Sequence, residues 1–401
     1  MIAGIAIFLG TYLVLAVGRL PPFRMDRTGA AVIGASLMVG LNVLTLEEAY
    51  AAVNHDTILL LFGMMIVVAN LRLSGVFAAI SEWVVEHTRG PVTLLAAIVI
   101  VAGIFSAFFV NDTICIVLTP LVLEITRSSG RNPVPYLLAV AMGSNIGSVA
   151  TITGNPQNMM IGSFSGISYG HFFARLAPVA GIGLLATVAV LWIFYRRQLR
   201  IEGQVTPRHR VIRINRMLMY KSVVASIGMI VLFFGGWPVP KVALVTGGLL
   251  LITRRVKPQK IYREIDWPLL VLFIGLFIVI AGVEKAALTE EMEQIVAQFR
   301  LESVAMLSVA AAVLSNLVSN VPAVLVFKPF IRHLTDPDAA WLTLAMSSTL
   351  AGNLTVLGSI ANLIVVQRAR REGVEISFAE YLKSGAIVTA VTIAIGVLFL
   401  R

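Results

Sequence analysis

Apolar runs of 17 or more residues recur from one end of this 401-residue chain to the other. As helices, such runs are long enough to cross a hydrocarbon core of roughly 30 Å. Hydrophobic residues make up 58% of the chain and charged residues only 13%, against about 25% charged in an ordinary soluble domain. Together these exclude two or three soluble domains and define an all-α polytopic membrane protein.

The spans fall at about 2–18, 28–45, 56–75, 92–124, 134–162, 172–195, 218–236, 239–253, 266–284, 303–331, 340–366 and 384–400. Two of them, 92–124 and 303–331, are about 30 residues long with polar breaks near the middle. Both are read as re-entrant hairpins, which leaves ten full crossings. Charge tests that choice, because Lys and Arg collect in short cytoplasmic loops. With the hairpins in place, 24 of the 31 basic residues fall on one side, the Arg-rich 196–221 loop among them. Acidic loops such as Leu46–Asp56 and Glu284–Glu302 fall on the other. Both termini are therefore expected outside the cytoplasm, in a protein of the inner cell membrane. The net charge of +10 belongs to loops near anionic lipid rather than to a nucleic-acid site.

One cysteine, Cys115, rules out a disulfide framework and a multi-cysteine metal site. The histidines (His55, His87, His171, His209, His333) show no ligand spacing, and neither a phosphate loop nor HExxH occurs. We expect no catalytic residue, cofactor or metal. Ile2 to Gly18 lacks a basic leader and reads as a retained helix rather than a cleaved signal.

The chain divides into halves, 1–200 and 218–401, joined by a basic cytoplasmic linker at 201–217. Asp56 opens a span in the first half, followed by VNDT at 110–113 and SNIG at 144–147. Asp266 opens a span in the second, followed by VSNV at 318–321 and GNLT at 352–355. This pairs Asn111 with Asn320 and Asn145 with Asn353, 209 and 208 residues apart. Five crossings per half is an odd number, so the repeats should be inverted in the membrane. Inverted repeats with broken helices at the midplane are the layout of secondary transporters.

The breaks themselves are unlike membrane helix. GSNIGSVATITGNPQNMMIG, from Gly143 to Gly162, sits in the broken span 134–162, and Gly352 to Asn362 sits in 340–366. Non-helical backbone at that depth is tolerated only where it is buried in protein or lines a cavity. Pro156 removes a donor, and half-helices that begin after a break aim free N–H groups and a positive dipole end inward. A single Gly, Ser or Asn in a membrane helix often serves packing alone. Four breaks at matching places point instead to a pocket of backbone and amides for a small oxygen-rich solute. Its candidate contacts are Asn111, Asn145, Asn320 and Asn353, then Thr113, Thr153, Asn155, Asn158, Ser319, Thr355 and Asn362.

Asp112 is the one carboxylate near a hairpin tip. Ionised groups inside the bilayer are expensive and are functional by default, so Asp112 is the candidate for proton or cation coupling. Holding the hairpin against a helix N-terminus is its structural alternative. Cys115, one turn deeper, reads as a small apolar filler. Lys328 is expected to snorkel to the outer surface.

A passive small-solute channel is the rival class, since Asn155-Pro156-Gln157 looks like the half-helix tripeptide of a water channel. Such a channel needs the tripeptide twice, and the second half has Ile360-Ala361-Asn362 without proline. The motifs FVNDTICIVLTP (109–120), GSNIGSVATITGNPQN, SNLVSNVPAVLV and GSIAN resemble the ion transporter superfamily of secondary carriers. Its relatives include arsenite/antimonite efflux permeases, Na+/H+ antiporters and divalent-anion/Na+ symporters. The hairpin at 109–120 is similar to that of the arsenite permease branch.

This resemblance implies a homodimeric elevator carrier and leaves room for a separate ATPase subunit. The dicarboxylate branch carries Ser-Asn-Thr at both hairpin tips, where this chain has Asn111-Asp112-Thr113 and Ser319-Asn320-Val321. An added acid repels a dianion, and valine lacks the hydroxyl. The expectation is proton-coupled export of arsenite or antimonite as the neutral trihydroxy species. The alternative is Na+- or H+-coupled transport of citrate or another divalent anion.

Overall fold

A computed structural model describes residues 2–18, 25–88, 90–200, 215–253, 256–286, 294, 298–331 and 333–401. Residues 201–214 of the expected linker lie outside that set. The first half runs α1 (Ile2–Val17), α2 (Arg27–Gly40), α3 (Leu46–Ala52), α4 (His55–Ser74), α5 (Val76–His87), α6 (Pro91–Phe108), α7 (Asn111–Ser128), α8 (Val134–Ser148), α9 (Pro156–Ser165) and α10 (Tyr169–Tyr195). The second runs α11 (Arg216–Phe234), α12 (Val239–Leu251), α13 (Pro258–Tyr262), α14 (Trp267–Ala286), α15 (Val304–Val318), α16 (Asn320–Ile331), α17 (Pro337–Ala351), α18 (Ile360–Arg371) and α19 (Phe378–Leu400). The fold is all-helical, with no strand among the described residues.

Among the described residues, α4, α6, α10, α11, α14 and α19 are each apolar and at least 18 residues long. The spans expected at 2–18, 28–45 and 239–253 form the shorter α1, α2 and α12. The span from 28 stops at Gly40 because Thr45 and Glu48 form a reciprocal capping box that starts α3. Asn54 then caps α4 through the N–H of Thr57, and Asp266 caps α14 through the N–H of Leu269. Asp56 and Asp266 are therefore not equivalent, since Asp56 lies inside the first turn of α4 whereas Asp266 precedes α14. The short α3, α5 and α13 have no counterpart in the sequence reading.

Each long span breaks where expected. The legs α6 and α7 turn at Phe109–Val110, and α15 and α16 turn at Ser319. The broken spans separate as α8/α9 and α17/α18, with Pro156 at the first position of α9. The N–H of Asn111 donates to the carbonyl of Gly154 in the first break at 3.0 Å. The tip of α6–α7 therefore stops where α8–α9 is only half traversed.

Packing exchanges elements between the halves. The second half's α12 lies along α4, and the first half's α2 lies along α14. Within halves α6 packs on α8 and α15 on α17. Helix ends meet in two groups. One group pairs Arg72 with Glu264, Arg127 with Glu372 (3.3 Å) and Asn132 with Gln198 (2.9 Å). The other pairs Lys285 with Glu48 (2.7 Å) and Thr335 with Glu302 (2.9 Å). The second contact joins the two outer ends of the α15–α16 hairpin.

Backbones approach closely between α6 and α8. A Cβ on Gly147 would stand 2.1 Å from the carbonyl oxygen of Gly103, and backbone on both sides leaves no rotamer to relieve it. Gly147→Ala is expected to cost about 3 kcal/mol or more through overpacking. Thermal melting of the purified variant in detergent checks this; a melt at the wild-type temperature contradicts it.

Candidate functional site

The two breaks and the first hairpin tip meet at Asn145, in the last turn of α8 and 1% exposed. Its Oδ1 accepts from Asn111 Nδ2 at 3.1 Å and from Ser359 Oγ at 3.1 Å. Its Nδ2 donates to Asn353 Oδ1 at 3.0 Å and Asn362 Oδ1 at 2.9 Å. One amide thus makes the four bonds an amide can make, one to the first hairpin and three to the second half. Protein groups fill the capacity that the sequence reading assigned to a solute.

The breaks share one construction. Asn158 Nδ2 donates to the carbonyls of Ser148 and Thr151, ten and seven residues earlier, both at 3.0 Å. Asn362 Nδ2 donates to those of Gly352 and Thr355, again ten and seven residues earlier, at 2.6 and 3.0 Å. Both amides satisfy carbonyls left unpaired where a helix ends. Asn155 caps α9 and Ser359 caps α18. Each cap also reaches the other half: Asn155 Nδ2 bonds Thr349 Oγ1 at 3.2 Å, and Ser359 bonds Asn145.

This geometry corrects the expected register. Asn158 matches Asn362 and Asn155 matches Ser359, 204 residues apart, so Asn145 matches Thr349 rather than Asn353. The channel-like tripeptide Asn155-Pro156-Gln157 matches Ser359-Ile360-Ala361, one residue earlier than expected, and still without a second proline. The hairpins keep the 209 spacing. The difference of five arises because α16, at 12 residues, is six shorter than α7, at 18, and one residue is recovered between the start of α17 and Asn362.

At the second tip, the amide of Asn320 takes the orientation its neighbours require. Its Nδ2 donates to Ser315 Oγ (2.6 Å), Gly358 O (3.1 Å) and Ser348 O (3.3 Å), and its Oδ1 accepts from Gln157 Nε2 at 3.0 Å. Gln157 also donates to Thr349 Oγ1 at 3.1 Å. Ser319 turns the hairpin at φ 82°, ψ 160°, a region almost reserved for glycine that costs of order 1–3 kcal/mol. Thr153 joins Tyr169 at 2.9 Å, and the hydroxyl of Thr151 donates to Ala107 O, tying the first break to α6 and α10.

Some polar atoms keep their capacity. Asn111 Oδ1, Asn158 Oδ1 and Asn353 Nδ2 are buried without a hydrogen-bond partner among the described residues. Thr113, Ser319 and Thr355 are half-buried. Asp112, in the first turn of α7, is half-buried and makes no hydrogen bond or ion pair among the described residues. Cys115 is fully buried in the apolar core. The sequence reading missed Ser144, Gln157, Ser315, Thr349 and Ser359. Counting 204 residues on from Asn155 finds Ser359; matching Asn to Asn does not.

Lys328, expected to snorkel to the outer surface, places its Nζ 2.9 Å from Glu284 Oε1 and 5.0 Å above the ring of Phe164. Among the described residues the one buried charged residue is Arg131, beyond the end of α7.

Two hairpins touching two broken helices in a helical membrane bundle define a carrier of the transporter class. The chain belongs to the CitMHS family, described as citrate transporter, whose profile matches residues 12–351. It is 30% identical to a silicon efflux transporter of Oryza sativa subsp. japonica, over 98% of this chain and 96% of that one. An uncharacterized transporter of Mycobacterium tuberculosis is 28% identical over 100% and 97%. A Dictyostelium discoideum relative bearing the transporter name arsB is 26% identical over 93% and 87%. The crystal structure of the Alcanivorax borkumensis YdaH transporter shares the fold, with a TM-score of 0.64 at 12% identity, covering 100% of this chain and 97% of that one.

Proposed function

We propose that the chain exports arsenite or antimonite as the neutral trihydroxy species, in exchange for protons, by alternating access. The observation that carries this reading is the chemistry of the site: amides and hydroxyls from both halves, next in sequence to Asp112, a carboxylate with no hydrogen bond or ion pair among the described residues. The free acceptor of Asn111 and the free donor of Asn353 suit hydroxyl groups, which both give and accept hydrogen bonds. A dianion would find no basic side chain in this network to offset its desolvation, and Lys328 is already neutralised by Glu284. The names of the rice and Dictyostelium relatives, silicon efflux transporter and arsB, support a metalloid as the solute.

In this reading the halves are inverted repeats, and the carrier sits in the inner cell membrane with both termini outside the cytoplasm. The grouping of helix ends supports the division of the loops between two sides, and the orientation rests on the charge of those loops. Homodimer assembly and an elevator motion of the hairpins and broken helices complete the scheme.

A second reading, Na+- or H+-coupled transport of citrate or another divalent anion, draws on the family description. Purified protein in liposomes separates the two. An imposed pH gradient is expected to drive arsenite across the membrane with saturating kinetics. Sodium-driven citrate uptake without metalloid flux sinks the proposal, and flux that neither saturates nor follows the gradient indicates a channel.

A further inference from the structure

The contact around Lys328 joins helices that belong to different parts of the molecule. Lys328 lies on α16, eight residues beyond Asn320 at the hairpin tip. Its Nζ reaches both carboxylate oxygens of Glu284 on α14, at 2.9 and 3.3 Å. Phe164, whose ring lies under that Nζ, belongs to α9 beyond the first break. The same ring packs edge-on against Phe277 of α14 at 5.9 Å and against Trp341 of α17 at 6.2 Å. Here α9, α16 and α17 carry the site, while α14 packs mainly along α2 and α1 and meets α16 in a smaller contact.

Exposure decides what such a pair can do. A fully exposed ion pair holds little, and a fully buried one is too costly to separate. The side chains of Lys328 and Glu284 keep 20% and 31% exposure, so water can take each charge when the pair parts. The aromatic face adds attraction only while the ammonium stays over it. These are the properties of a contact that forms and breaks within a working cycle.

We propose that Lys328, Glu284 and Phe164 form a latch, holding the outgoing leg of the second hairpin against α14 in one state of the carrier and opening in the other. This rests on the alternating-access reading, but not on the identity of the solute. Spin labels on Ile274→Cys in α14 and Leu317→Cys in α15, at 37% and 60% exposed positions, report the separation in liposomes. Cys115 is fully buried and stays in place.

With the native pair, one distance is expected to dominate. Glu284→Gln with Lys328→Gln removes the attraction without stranding a charge, and should raise the second population about three- to tenfold. The exchanged pair, Glu284→Lys with Lys328→Glu, should restore the first. An unchanged distribution in the neutral variant, or a shift that the exchanged pair does not reverse, overturns the latch. A wrong choice of solute would show only in flux and would leave these distances as predicted.

Discussion

Asn145→Ala is expected to lose more stability than any other single truncation in the site. The substitution removes four hydrogen bonds at once, two donated by its amide and two accepted by it. Its partners Asn353 and Asn362 are fully buried and Ser359 is 4% exposed, so water does not replace what is lost. A buried polar group left unsatisfied costs about 1–3 kcal/mol, and several are stranded here together. The total is on the order of 4 kcal/mol, with loss of one of the polar links between the halves. Asn353→Ala removes only one of these bonds and should cost about 1 kcal/mol. Melting temperatures of the two purified variants test the ranking. If Asn145→Ala melts no lower than Asn353→Ala, the amide is not the hub that the geometry describes.

Asp112→Asn is expected to do the opposite, leaving the fold intact and removing transport. The side chain makes no hydrogen bond or ion pair among the described residues, so a neutral amide of nearly the same volume strands nothing. Loss of its negative charge at the start of α7 costs at most about 1 kcal/mol through the helix dipole. An intramembrane carboxylate that carries the coupling proton cannot be replaced by a group that never ionises, so gradient-driven flux should fall roughly 100-fold. Arsenite flux in liposomes under an imposed pH gradient, beside a melting curve for the same protein, reads both halves of the prediction. Full gradient-driven flux in Asp112→Asn would remove the coupling role.

The site was legible where a residue type sets its own local backbone. Pro156, Gly154 and the clustered Asn and Thr residues announce that helix cannot continue, and the breaks fall between α8 and α9 and between α17 and α18 accordingly. The cap at Asn155 could be read from its place before proline. What could not be read was the pairing of the two breaks. Matching Asn145 to Asn353 follows residue type, whereas the clamps of Asn158 and Asn362 follow hydrogen-bond spacing. The five-residue difference between the hairpin spacing and the break spacing hides the register from any alignment that assumes one spacing throughout.

Length and polarity along the chain were enough to define a helical membrane protein, its two hairpins and an acid at the first tip. Those are local properties, because the number of consecutive apolar residues and the position of a helix breaker do not depend on distant partners. Only the tertiary structure decided which polar groups are already used and which remain free. Asn145 is saturated by residues up to 217 positions away, while Asn111 and Asn353 each keep one open atom. Lys328 likewise is paired with Glu284. Hydrogen-bonding capacity is a property of the residue, but its use is settled by neighbours that only folding brings within 3 Å or so.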